Sequence, residues 1–209
     1  MSGGRDAAGL PPAVVRRRRL QFVGLALLFI GPLALSAWLY FGSSLRPAGH
    51  VQHGELLDPV RPLPAAALAT AAGAVTAPDF LHHRWTLLTV AAGRCDAPCL
   101  AALAATRDAR IALEQDALRV QRVLLADAPC CEEAWRGGAA GGLVTAWLDS
   151  ADGQRLRAAL ATRAAPAPQP GRIYLVDPLG NLVLSYPPGT DPKDLLKDLG
   201  RLLRLSQIG

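Results

Sequence analysis

Residues 85–99 read WTLLTVAAGRCDAPC. The run Trp85–Ala91 is short, apolar and β-rich, and a stretch of helical, Ala/Leu-rich composition follows from Pro98 to about Gln115. Leu118–Ala126 (LRVQRVLLA) has the partial alternation of a second strand. Strand, helix and strand in this order predict a β-α-β unit whose strands are parallel and joined by a right-handed crossover. Downstream, residues 151–164 read as another helix. Arg172–Val176 (RIYLV) and Leu182–Tyr186 (LVLSY) flank the turn signal DPLGN at 177–181, which predicts a β-hairpin. Leu195, Leu196, Leu199, Leu202 and Leu203 form one apolar face of a closing amphipathic helix that starts at Asp191-Pro192. The whole is an α/β domain.

Cys95 and Cys99 lie where the first strand hands over to the first helix. Free backbone N–H groups and the positive end of the helix dipole stabilise a thiolate there, which makes a cysteine a nucleophile or a soft metal ligand. The spacing puts both sulfurs on one side of the first turn, so the pair can close a disulfide or hold one ion. Pro98 is tolerated because a first-turn N–H has no helical partner to lose. This placement favours a working pair over the alternative, a structural disulfide in an exported domain. Cys130 and Cys131 follow the second strand. If the two strands are parallel neighbours, both cysteine pairs leave from the sheet edge where open α/β folds place their sites. Cys130 and Cys131 then read as a resolving thiol or accessory soft-metal ligands, or equally as cysteines with no part in the chemistry.

The formal charge of +5 is concentrated at one end of the chain. Residues 1–19 carry Arg5 and Arg16–Arg19 against Asp6, which leaves 17 basic and 16 acidic side chains on the other 190 residues. A nucleic-acid partner is therefore not expected, since binding phosphates needs a basic patch on the folded part. From Leu20 to Phe41 no residue is charged, a run long enough to cross a bilayer core of roughly 30 Å. The expected organisation is a basic cytoplasmic tail (1–19), a transmembrane helix (20–42), an extended tether (43–70) rich in proline, and a domain (71–209). The arginine cluster before the apolar run places the N-terminus in the cytoplasm and the domain in the periplasm of a bacterial inner membrane. Trp38 and Tyr40 suit the aromatic belt at the far interface. The alternative, a cleaved export signal, is disfavoured because the apolar run exceeds the usual core of about 7–15 residues.

The anchor, the C-x3-C after the first strand and the segment IYLVDPLG at 173–180 together resemble the Sco/SenC copper chaperones of cytochrome c oxidase assembly. As a whole the chain is similar to the small thioredoxin-like membrane proteins associated with bacterial cytochrome oxidase assembly, over residues 20–209. The resemblance implies a thioredoxin-like fold and thiol–disulfide exchange or Cu(I) transfer through Cys95 and Cys99. It also implies a respiratory oxidase subunit or assembly factor as partner. Sco proteins take a third copper ligand from a histidine shortly before the strand that reads here as Ile173–Val176. This chain has Pro168-Gln-Pro-Gly-Arg172 there.

All four histidines lie upstream of Cys95. His82 and His83 precede the first strand and are separated from Cys95 by its length, at about 3.3 Å per residue. His50 and His53 fall in the tether, and the single methionine is Met1. Two thiolates hold soft Cu(I) but hold Cu(II) poorly. Pro168 or Pro170 is a candidate for the cis-proline that thioredoxins place before the third core strand. Two rival readings stay open: a generic membrane-tethered thiol–disulfide oxidoreductase, and a non-catalytic docking module with structural cysteines.

Overall fold

The computed structural model describes residues 12–42, 52–127, 142–206 and 208. The chain divides into two compact units at His50/Val51. The first contains helix α1 (Pro12–Gly42), with Pro32 inside it. Its stretch Arg16–Leu39 is long and apolar enough to cross a membrane, and none of it is buried. Phe22, Leu28, Phe29 and Leu33 are exposed, the pattern expected of a candidate membrane span. The helix begins ahead of the expected 20–42 span because Arg16–Arg19 are good helix formers, and a run of charged residues does not by itself end a helix.

The second unit is built on one six-stranded sheet in the order β1-β6-β5-β2-β3-β4. In chain order its elements are β1 (Glu55–Pro62), β2 (Trp85–Ala91), α2 (Ala97–Ala112), a 3₁₀ turn (Glu114–Arg119) and β3 (Val120–Ala126). They continue with β4 (Leu143–Trp147), α3 (Ala151–Ala159), β5 (Ile173–Val176), β6 (Asn181–Tyr186) and α4 (Pro192–Leu205). Strands β2, β3 and β4 are parallel, whereas β5, β6 and β1 join antiparallel. Every residue of β2 is buried, the pattern of a strand covered on both faces. On one face Leu88, Val90, Val123, Leu125, Tyr174 and Val176 pack with Leu156 and Leu160 of α3 and its C-cap. On the other, Trp85, Leu87, Leu175 and Leu184 pack with Ala102, Ala105 and Ala109 of α2 and Leu195, Leu199 and Leu203 of α4.

The expected tether at 43–70 does not hold for the residues described within it. His53 and Gly54 donate their N–H groups to the buried Asp198 carboxylate on α4, at 2.8 and 3.1 Å, and Tyr186 donates its hydroxyl to the same group at 3.0 Å. Residues 55–62 then form β1, paired with β6. Beyond them, Leu63, Ala66 and Leu68 are buried in the core. Pro59 and Pro62 argue for a tether by composition, yet β1 is an edge strand, where a residue without an N–H costs little. Its register with β6 shifts between Leu56 and Arg61, around Pro59.

Strand β4, not expected from the sequence, extends the parallel part of the sheet. The helix expected at 151–164 stops at Ala159, and that expected from Pro98 to Gln115 stops at Ala112.

Candidate functional site

The register Ala91↔Ala126 brings the carboxyl ends of β2 and β3 side by side. From Ala91 the chain turns through Gly93, whose φ is +76°. It enters α2 at Asp96, whose side chain caps the helix by accepting from the Cys99 N–H at 3.2 Å. Pro98 occupies the first turn, where it displaces no helical hydrogen bond. Cys95 and Cys99 are joined as a disulfide with their Cα atoms 5.2 Å apart.

The two sulfurs sit in different surroundings. Cys99 is 0% exposed and packs with Ala91, Leu103, Leu124 and Ala126, while Cys95 is half-buried at the rim of that cluster. Of the two sulfurs, that of Cys95 is the one at the surface and that of Cys99 the one behind it.

A second loop closes over the motif. Gln169-Pro170-Gly171-Arg172 is a turn in which the Arg172 N–H donates to the Gln169 carbonyl at 3.1 Å and Gly171 has φ +79°. That is the turn in which a proline in second place and a left-handed third residue go together. A Cβ on Gly171 would lie 2.7 Å from the Pro98 carbonyl oxygen, so only glycine lets this turn rest on the motif. Arg172, 5% exposed in its side chain, directs its guanidinium to the Glu55 carboxylate at 2.9 Å and the Ser185 hydroxyl at 3.1 Å. The turn is thereby moored to β1 and β6. Neither Pro168 nor Pro170 follows a cis peptide bond, which corrects that expectation, and the glycine makes the close approach instead.

Below the motif, Arg122 of β3 is fully buried. It donates to the Leu103 carbonyl at 2.7 Å and the Thr106 hydroxyl at 3.2 Å, which ties α2 to the sheet. Burial, and then the nearby Arg110 and Arg107, lower its pKa to about 10, so it stays charged at neutral pH. Sequence reading missed Asp96, Gly171 and Arg172. An aspartate ahead of Ala-Pro at a helix start and a Pro-Gly pair before a strand are the signals that point to the first two.

The described histidines are placed or engaged elsewhere. His82 and His83 precede β2 at the end opposite to Cys95. His53 is held by Asp198 and Asp194, at 3.2 and 3.4 Å. Among the described residues no group of three or more His, Cys, Asp or Glu side chains is arranged to hold a metal. Cys130 and Cys131, expected as accessory groups, and His50 lie outside the described residues.

Residues 85–206 match the family described as transmembrane-like, thioredoxin-like, C-terminal domain. No curated protein matches the chain. Among solved structures it is similar to apo Sco1 of Thermus thermophilus, with TM-score 0.58 and 19% identity over 74% of this chain and 99% of that one. It is also similar to copper-bound ScoI of Bradyrhizobium japonicum, with TM-score 0.52 and 19% identity over 68% and 98%. Yeast Sco1 gives TM-score 0.54 and 12% identity over 69% and 99%. At such identities the likeness establishes a thioredoxin-like fold shared with Sco/SenC proteins.

Proposed function

This chain belongs to the transmembrane-like, thioredoxin-like C-terminal domain family, and on that premise we propose that it is a membrane-anchored thiol–disulfide exchange protein working through Cys95 and Cys99. The observation that carries the reading is the asymmetry of the pair at a helix N-terminus, one sulfur reachable and one buried behind it. In exchange, a thiolate at one sulfur attacks a disulfide sulfur, a mixed disulfide forms, and the second thiolate displaces the partner. Cys95, the more accessible of the two, is the group that meets the partner, and Cys99 resolves.

The partner we propose is a respiratory oxidase subunit or assembly factor on the periplasmic side of the bacterial inner membrane. The likeness in fold to Sco proteins supports this, together with the candidate membrane span at Arg16–Leu39. Cys99→Ser, produced in the full chain, leaves Cys95 unable to be resolved and should accumulate mixed disulfides with that partner. The trapped species are separated on non-reducing gels and identified by mass spectrometry. An oxidase subunit or assembly factor supports the reading. Trapping that is unchanged when Cys95→Ser is added removes Cys95 from the chemistry.

Copper as cargo is the second reading, favoured by the two adjacent soft donors and by ScoI structures solved with copper bound. In the reduced state the Cys95 and Cys99 thiolates would hold it, and two sulfurs suit Cu(I) far better than Cu(II). A competition titration of the reduced full chain in detergent should show Cu(I) uptake that either serine substitution abolishes. Cu(II) uptake dependent on His82 or His83 would overturn this donor set.

A further inference from the structure

We infer that the outer face of α4 is a docking surface for anionic lipid headgroups, an inference that rests on the membrane-anchored part of the reading above. The helix buries Leu195, Leu199 and Leu203 against the sheet and α2. Its opposite face carries Lys193, Lys197, Arg201 and Arg204, all of them exposed. At about 100° per residue these four positions fall within an arc of roughly 80°, so the cations form one stripe along the helix. Lys193 and Lys197 are the only lysines in the chain. The acids of the helix leave the stripe positive. Asp198 is buried and accepts from His53, Gly54 and Tyr186. Asp194 is half-buried and shared between His53 and Lys197, at 3.4 and 3.1 Å, and Asp191 caps the start of the helix. After Asp198 the sequence has no acid.

Two observations make the occupant a lipid surface rather than an acidic protein. The incoming chain is moored to this same helix, through the His53 and Gly54 N–H groups on Asp198. From Gly42, where α1 ends, to Gln52 the chain reaches at most about 35 Å. It therefore enters the folded unit beside the stripe, within that reach of the candidate span. The second observation is that Leu205 and Ile208, which follow the last arginine of the stripe, are exposed, with the Ile208 carbonyl held by Arg119 at 3.3 Å. Cations alongside exposed apolar side chains suit the boundary between headgroups and acyl chains. Each Lys or Arg at an anionic surface multiplies binding about fivefold, and docking needs no separate encounter when a span already keeps the domain at the membrane. A domain held by α4 presents Cys95 to partners in the same bilayer in one orientation.

The test reconstitutes the full chain into nanodiscs of phosphatidylcholine alone, or of an equal mixture with phosphatidylglycerol, neither of which carries a primary amine. Acetylation by an uncharged ester is followed by mass spectrometry at Lys193 and Lys197, against a lysine-containing peptide added to the same sample. Both lysines should label more slowly on the anionic discs, and the difference should vanish in high salt as the headgroup charge is screened. Arg201→Gln with Arg204→Gln should lower the ratio of docked to free domain about twenty-five-fold and bring the two rates together. Arg84→Gln with Arg163→Gln removes the same charge from exposed positions off this helix and should leave the difference in place. Equal rates on both discs in the parent would leave the stripe to an acidic protein partner and overturn the inference. So would slowing that persists without Arg201 and Arg204, or that the Arg84 and Arg163 substitutions remove as well. A chain that does not stay with the discs would overturn the anchor itself.

Discussion

Gly171 meets backbone wherever it might grow: its would-be Cβ lies 2.7 Å from the Pro98 carbonyl oxygen, at a φ that L side chains rarely adopt. Gly171→Ala should therefore cost about 1–3 kcal/mol, read as a lower denaturant midpoint of the full chain in detergent. It should also change the alkylation rate of reduced Cys95, since the motif must yield to the new methyl. A rate unchanged from the parent would mean that the turn does not bear on the motif. Tyr186 makes a second case. Burial, and then the Asp198 carboxylate, push its phenol far above the ordinary range. The neutral phenol is the form the fold favours. Its contribution is therefore complete below the unfolded-state pKa of about 10 and is lost as pH rises beyond that value. Tyr186→Phe should cost about 1 kcal/mol at neutral pH by removing a donor to Asp198. It should also lessen the fall in stability that the parent shows above about pH 10, as followed by denaturation midpoints across that range. Residues of this kind were half legible. Cys95 and Cys99 announce themselves by type and spacing, whereas Asp198 is one carboxylate among many until the fold brings His53, Gly54 and Tyr186 to it.

At the scale of elements, local pattern decided what was legible. β2, β3, β5, β6 and the C-terminal helix each carry an apolar run with clear boundaries, and each stands within a few residues of its expected place. β1 was hidden because Pro59 and Pro62 mark an unpaired chain, and only the edge position next to β6 reconciles them with a strand. β4 is five residues long, and its pairing with β3 is long-range information that no local pattern carries. β1 also covers one side of β6 and supplies Glu55 to the buried Arg172. Deleting residues 52–62 should leave β6 as an open edge prone to pairing with other chains, and should strand the Arg172 charge. The expected result is aggregation on size-exclusion chromatography and loss of a cooperative unfolding transition. Glu55→Gln, which keeps the strand and weakens only the ion pair, should remain monodisperse with a modestly lower midpoint. A deletion variant as stable as the parent would return 52–62 to the role of tether.

For the molecule as a whole, the decisive question is which side of the membrane the cysteines face, because a disulfide pair is maintained differently in an oxidising and a reducing compartment. Arg16–Arg19 stand in sequence at the start of the apolar stretch, and after it Arg46 is the first charged residue. A helix that crosses a bilayer keeps the arginine-rich flank on the cytoplasmic side, and Arg16–Leu39 has the length and composition to cross. A chain with one crossing then carries everything after Gly42 outward. A reporter enzyme that works only outside the cytoplasm, fused after Gly209, should be active, and one that works only inside should be silent. Moving the charge should move the domain: replacing Arg16–Arg19 by glutamine and placing four arginines directly after Gly42 should reverse both signals in a fraction of molecules. In the reversed population the Cys95–Cys99 pair should be recovered as dithiol by rapid acid quench and alkylation, while the parent yields disulfide or a mixture set by its redox partner. Cytoplasmic activity of the unaltered fusion would place the pair on the reducing side and remove the case for periplasmic exchange.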